Sequence, residues 1–427
     1  PCGTLFPYTT LFRSPYWRYR IEPDARCSRG EAREELERRM RRAVERRTAS
    51  GRVGMLLSGG LDSRGILSCL DDPARIPAAT YTGRSEAEVG EGGDLAVARR
   101  LAETAGMPLR VFRYAAGDML DAMADSVYAG ELGAGFVFEN VWDDIRESLR
   151  ADSMLAGDES FGHGVPPMAA SQVLDKAGIV RLGDYPAVLA CLAPNVREEL
   201  IAASDEEVRA VAAEAASGTP FGRLDEIFFA QRAVQFVAPK RRVINRHGLT
   251  VRNPWLDWEL LDFVRRLPDR LRNRKRLYKA ALRRMAPALW SLPLAREGET
   301  VDYRAELARL ETDSCAVSGL LEDCPGLDSL FDAEAVRALL ARVRAPRSPS
   351  APSKRFSPQS LLPIELQRTL AGWYRYVRRP KRVLSETALL LRLMTVAMAL
   401  RCLQDRFRSP AAALPSAAAA TGAGRAG

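Results

Sequence analysis

The stretch "VGMLLSGGLDSRGILSCL" (residues 53–70) carries an apolar segment into Ser-Gly-Gly and then into apolar residues at helical spacing. Val53 to Leu57 reads as a buried strand, and Asp62 to Leu70 as a helix whose Ile66, Leu67 and Leu70 share one face. Adjacent glycines at such a turn let the backbone approach a bulky anion, and the amide N–H groups opening the next helix offer fixed positive potential to phosphate. Ser58 and Ser63 add hydroxyl donors, and Asp62 adds a carboxylate suited to a magnesium ion carrying pyrophosphate. The plain alternative is that Asp62 caps the helix and the glycines only make a tight turn. No G-x-x-x-x-G-K-[ST] sequence occurs, which excludes the usual P-loop.

The pattern repeats on the C-terminal side. "IPAATYTG" (76–83) predicts a strand, residues 92–106 a helix stopped by Gly106, and "PLRVFRY" (108–114) another strand. Helices at about 117–130 and 137–150 lead to "DSMLAGDESFGHG", a short strand running into a second glycine-rich turn. Alternation of this kind predicts an α/β fold, a doubly wound parallel sheet whose ligands bind outside the carboxyl ends of the strands. Upstream, "YWRYRIEPD" predicts one strand and residues 28–51 a charged amphipathic helix with Glu31 and Glu34 near its start. Beyond about 185 the strand signal fades, and helices are expected at 204–217, 222–246, 257–267 and 276–286, making the C-terminal half mostly helical.

Composition bounds the class. The chain has 427 residues, 47% of them hydrophobic, and 63 Lys+Arg against 54 Asp+Glu for a net charge of +9. The basic residues form no long block with interleaved aromatics, which argues against nucleic acid as a partner. Seven cysteines without a C-x-x-C pair argue against a disulfide framework or zinc site and fit a reducing cytoplasm. The most apolar segment, residues 388–403, is interrupted by Arg392 and Arg401 and is shorter than the about 20 residues of a membrane span, so a packed helix is expected there. Residues 4–14, "TLFPYTTLFRS", resemble the in-frame translation of a sequencing-library adapter, so residues 1–14 are set aside and Cys2 is not taken as a nucleophile.

S-G-G-L-D-S after an apolar strand resembles the pyrophosphate loop of ATP pyrophosphatases. "GLTVRNPWLDWELLDFVRRLP" (248–268) is similar to the E-A-R-x-P-F-L-D segment of asparagine synthetases, with Arg252, Pro254, Leu256 and Asp257 matching and Trp255 in place of the aromatic Phe. "YKAALRRMAP" (278–287) resembles the K-x-x-L-R stretch that follows, through Lys279 and Arg283, and "EGGDLAVARRLAE" (91–103) resembles the segment after the second strand. The likeness covers about residues 51–300 and implies the synthetase domain of the asparagine synthetase family. That family activates a carboxylate as an acyl-adenylate with ATP and Mg²⁺, releases pyrophosphate, and lets ammonia or an amine displace AMP.

The resemblance implies nucleotide contacts at Leu57, Ser58, Gly59, Gly60, Asp62, Ser63, Thr82 and Gly157, and magnesium ligation by Asp62 and Asp158. Glu159 is implied either as a second metal ligand or as a group orienting the nucleophile. Arg252 is implied to face the phosphates or the substrate carboxylate, Arg64 is either a further phosphate contact or a solvated or salt-bridged helix arginine, and His163 either touches nucleotide or is exposed polar surface. Lys279 carries over from K-x-x-L-R, and Arg296 stands where the family has a lysine, so its role in the amine step is open.

Three departures matter. The second turn is about two residues shorter than the family form, which leaves Asp158 and Glu159 competing for the metal. The glutamate of E-A-R is Thr250, and about fifty residues before the loop cannot build a glutaminase domain. The expected division is 1–14 adapter-like, 15–50 remnant linker and helix, 51–185 nucleotide-binding core, 186–343 helical part, 344–358 linker, 359–407 C-terminal helices and 408–427 low-complexity tail. The expected activity is an ATP-dependent amide ligase acting on a small-molecule carboxylate, aspartate by default. The nitrogen donor is ammonia or glutamine, the latter if a glutaminase domain was lost by truncation. A natural-product amide or macrolactam synthetase, a tRNA-modifying ATP pyrophosphatase and a non-catalytic nucleotide binder are the alternatives, and an oligomer is compatible with each.

Overall fold

The computed structural model describes residues 17–83, 92–113, 119–130, 141–157, 162–163, 166–167, 169–232, 237–295, 302–345 and 383–408. At its centre are five parallel strands in the order β3-β2-β1-β4-β5. They are β1 (Val53–Leu56), β2 (Ala78–Thr82), β3 (Leu109–Arg113), β4 (Ser153–Leu155) and β5 (Thr250–Arg252). Met55 pairs with Ala78 on one side and with Leu155 on the other, and Leu155 in turn with Arg252, which brings the carboxyl ends of β1, β4 and β5 into line.

Side chains alternate between the two faces, as pleating requires. Val53, Met55, Ala78 and Leu155 point into one core with α1 (Arg29–Thr48), α2 (Leu61–Leu67), α3 (Asp94–Ala105) and the helices Trp258–Arg265 and Arg276–Met285. Ala79, Met154 and the half-buried Leu56 and Val251 point into the other, with α5 (Trp142–Leu149) and the helix Ala238–Arg246. Between α3 and α5 in sequence, α4 (Met119–Gly130) lends Met119, Met123 and Val127 to a separate helical cluster.

Local signals explain most boundaries. Ser28 caps α1 by accepting from the Glu31 N–H while its hydroxyl meets the Glu31 carboxylate at 2.7 Å, a reciprocal cap. Gly106 ends α3 at φ 65, the left-handed conformation that stops a helix. The helix expected at 204–217 starts earlier, as Pro194–Glu214, because Pro194 sits in its first turn, where no N–H is needed. Over 222–246 two helices are described, Pro220–Arg232 and Ala238–Arg246.

Two strand expectations need correction. Residues 17–24 are not a strand: the Glu22 and Asp24 N–H groups donate instead to the Arg265 and Arg266 carbonyls at a helix end. Conversely β5 was not expected, since three residues are too few for alternation to show. The helix Glu386–Arg408 buries Leu389, Leu390, Leu393 and Met394 among the C-terminal helices, so the apolar 388–403 segment packs inside protein. No helix among the described residues is long and apolar enough to cross a membrane. The linker beyond residue 345 and the tail beyond 408 lie outside the described residues.

Candidate active site

The first glycine turn links β1 to α2 and is closed by its own serines. Ser63 Oγ accepts from the Ser58 N–H at 3.2 Å, donates to the Ser58 carbonyl at 2.9 Å and meets Ser58 Oγ at 2.9 Å. Gly60 N donates to Ser58 Oγ at 3.3 Å, and Gly59 N donates to the Asp94 carboxylate of α3 at 2.9 Å. The Gly59 amide thus already holds an anionic oxygen, the kind of partner a phosphate would be.

Asp62 lies in the first turn of α2, one side-chain oxygen sealed from solvent, with Lys275 Nζ 3.8 Å away. Two buried aromatics fix the backbone there: Trp255 Nε1 donates to the Asp62 carbonyl at 3.2 Å and Tyr278 OH to the Leu61 carbonyl at 3.0 Å. Burial, helped by the Asp62 charge, holds the Tyr278 phenol well above its ordinary pKa, so it stays a donor. Gly157, just past β4, completes the turn from the other side, since a Cβ there would fall 2.8 Å from the Asp62 carbonyl carbon. Leu57, Ser58, Gly59, Gly60, Asp62, Ser63 and Gly157 therefore form one group.

A cavity of about 230 Å³ opens beside it, lined by Leu57, Ser58, Ser63, Asp94, Tyr81 and Lys240 among others. Lys240 Nζ donates to Tyr81 OH at 3.1 Å. Thr82 is buried at the carboxyl end of β2. Lys279 is half-buried one turn beyond Lys275 on the helix Arg276–Met285. Asp158, Glu159 and Arg296 lie outside the described residues. The chain just before Arg296 rests on the loop, with Ala295 N donating to the Gly59 carbonyl at 3.3 Å.

Three expectations are corrected by geometry. Arg252 does not join the loop, because its guanidinium donates to the Arg47 and Ser50 carbonyls at 2.9 and 2.7 Å and so satisfies the C-terminal end of α1. Arg64 is 1% exposed and donates to the carbonyls of Leu289, Leu292 and Pro293, another helix end. His163 is not an exposed surface group: its Nε2 lies 2.8 Å from Asp225, with its ring against Phe221 and Phe228. Burial, with the cations of Lys275, Arg272 and Lys176, pushes His163 down to about 3, so it is a neutral donor.

The R-x-P-W-L-D motif is a platform more than a contact. Asp257 caps the helix Trp258–Arg265 and pairs with Arg46 and Arg47, while Trp255 carries the motif to Asp62. The family model of asparagine synthase matches residues 35–141 and 167–375. The chain belongs to the asparagine synthase family. Membership carries the family's general chemistry, ATP-dependent formation of a carbon–nitrogen amide bond. The asparagine synthase match is interrupted over 142–166, the span that holds α5, β4 and the second glycine-rich stretch of the sequence. A search of curated proteins finds no match to the chain.

Sequence reasoning missed Lys275. It precedes the recognised K-x-x-L-R stretch, and its one local signal is a run of cations, "RNRKR" (272–276). Arg274 and Lys275 have φ of 57° and 56°, a left-handed pair without glycine that costs roughly 1–2 kcal/mol per residue. Strain of this kind persists where neighbouring structure enforces it. Among the described residues no three His, Cys, Asp or Glu side chains converge as a metal site. Asp62 offers a hard oxygen suited to Mg²⁺, and Gly157, the residue before Asp158, abuts it.

Proposed function

We propose that this chain adenylates a small carboxylic acid with ATP, releases pyrophosphate and passes the acyl group to ammonia or an amine, with aspartate the default acid and ammonia or glutamine the nitrogen source. The observation that carries the reading is the closed Ser58–Ser63 turn with Asp62, Lys275 and Gly157 packed at its mouth. Backbone amides of the turn would hold the departing pyrophosphate. Lys275 would neutralise charge growing on it, worth most where water is excluded. Asp62, with Asp158 or Glu159, would hold Mg²⁺, which when bound supplies further charge stabilisation to the leaving group. Asp94 would have to yield the Gly59 amide or share it, so nucleotide entry involves a change at the start of α3. Lys279 and Arg296 remain the candidates for the amine step, and the reaction belongs to a cytoplasmic enzyme.

A second reading, a specialised acceptor in place of aspartate, is favoured by Thr250, exposed on β5 where the family motif has glutamate, and by the interrupted family match. ATP–pyrophosphate exchange with Mg²⁺ across the free amino acids and a set of peptide carboxylates decides between the two. Exchange driven by aspartate alone supports asparagine formation, and exchange driven only by other acids supports the specialised acceptor. Salt-sensitive tRNA binding without exchange would point to a tRNA-modifying enzyme instead.

A further inference from the structure

One buried carboxylate contacts both His163, which follows Gly157 in the chain, and Arg272, which precedes Lys275. Asp225, on the helix Pro220–Arg232, is 7% exposed. Its Oδ1 lies 2.8 Å from His163 Nε2 and its Oδ2 pairs with Arg272 Nη1. His163 belongs to the second glycine turn, five residues after Asp158. Arg272 lies two residues before the left-handed pair Arg274–Lys275, which brings Lys275 to Asp62. The Arg272 side chain is fully enclosed, donates through Nε to the Leu267 carbonyl at 2.9 Å and pairs with Asp269. Thr219 OH holds that Asp269 at 2.7 Å. The two segments also meet through backbone: Gly162 has φ +90°, and a Cβ there would run into the Arg272 carbonyl.

We propose that Asp225 is a positioning residue that sets the two halves of the phosphate site against each other, holding the second glycine turn through His163 and the Lys275 segment through Arg272. A buried ion cluster of this kind is weak as a source of stability, because desolvation offsets most of its attraction. What it supplies is registry. With Arg272 held at three points, the left-handed pair that follows has one direction in which to send Lys275. With His163 held by the same carboxylate, residues 162–163 are referred to that point. The proposal rests on the first glycine turn being the phosphate site.

The test uses the full chain, amide hydrogen exchange without nucleotide, and calorimetric titration with ATP and Mg²⁺. Asp225→Asn is expected to speed exchange in both 157–163 and 272–276, whereas His163→Leu speeds it only in the first. His163→Gln, which retains an N–H donor, is expected to exchange in both segments at the wild-type rate at neutral pH. ATP affinity in Asp225→Asn is expected to fall about tenfold, the scale of one lost charge-assisted hydrogen bond. Adding Lys275→Ala to Asp225→Asn should weaken binding less than it does in the wild-type background, because the lysine is already misplaced. Exchange rising in one segment alone, unchanged ATP affinity with a lower melting temperature, or strict additivity would each overturn the proposal. A wild-type chain that does not bind ATP removes the phosphate-site reading and this proposal together, while normal wild-type binding with an unaffected Asp225→Asn removes this proposal alone. If Asp225→Asn does not fold, Arg272→Lys, which retains charge but loses the planar fork, carries the same expectations for 272–276 and for ATP.

Discussion

The two sides of the phosphate site are built by opposite means. Ser58, Gly60 and Ser63 close on one another through four hydrogen bonds that each span five residues or fewer. The Lys275 side is held by residues about fifty and one hundred and ten positions away, Asp225 and, beyond it, His163. A self-closed turn places its charge by local geometry and tolerates change elsewhere, whereas a side chain placed by distant contacts inherits every error in them. Asp62 is the point where the two meet, and its loss should have the largest effect. Asp62→Asn, nearly the same in shape, is expected to lower ATP–pyrophosphate exchange roughly 10²–10³-fold, the usual loss when a transition-state charge partner is removed. A variant that exchanges at the wild-type rate would break the assignment of both sides at once.

Gly157 sharpens the comparison from the self-closed side. Its position 2.8 Å from the Asp62 backbone for an added Cβ leaves no room for alanine unless α2 or the turn moves. Gly157→Ala is therefore expected to cost about 10²-fold in exchange, the scale of an ångström-sized misplacement of reacting groups. Its melting temperature should fall only as far as one overpacked contact requires. Full activity in this variant would mean that β4 and the first turn are not coupled.

Lys275 allows stability and activity to be pulled apart. Glycine adopts φ near 56° without penalty, so Lys275→Gly should relieve about 1 kcal/mol of backbone strain, partly offset by the greater freedom of glycine in the unfolded chain. The same change removes the cation beside Asp62 and is expected to weaken ATP binding about tenfold. Denaturant unfolding and ATP titration on one preparation check both signs. A variant that loses stability and retains affinity would make Lys275 an ordinary structural lysine.

The same contrast explains what was legible in the sequence. The β1–turn–α2 unit, the alternation that follows it and the Gly106 stop are all local, and the chain alone discloses them. The parallel sheet follows from that alternation, and the grouping of Ser58, Ser63 and Asp62 from adjacency. Arg252 and Arg64 were misread because an arginine beside a motif looks the same whether it faces a ligand or a helix end. Here carbonyls at helix C-terminal ends claim both. Lys275 is marked only by a run of cations and Asp225 by nothing local, since their roles depend on helix Pro220–Arg232 meeting residues 162–163 and 272, a contact that no spacing rule encodes.

His163 provides the smallest effect, and one that reads the distant side without any nucleotide. An unfolded histidine titrates near 6.5, as a general value. In the fold, burial among Phe221 and Phe228 and the cations of Lys275, Arg272 and Lys176 takes His163 down to about 3, with Asp225 paired to Arg272 on its other oxygen. Below about 6.5 the unfolded chain therefore binds a proton that the folded chain refuses. The contribution of His163 to stability is complete above that pH and declines as pH falls toward 3. Glu35, drawn down to about 2 first by its hydrogen bond to Arg38, adds a similar loss only below the ordinary glutamate range, so pH 5.0 to 6.5 isolates the histidine. His163→Gln cannot take up that proton, and its unfolding free energy should fall with acid less steeply than wild type, by up to one proton's worth, about 1.4 kcal/mol per pH unit. Urea unfolding at pH 7.5, 6.0 and 5.0 measures the difference. Parallel curves for the two proteins would mean that His163 is not enclosed against Asp225, and the long-range half of the site would lose one of its two anchors.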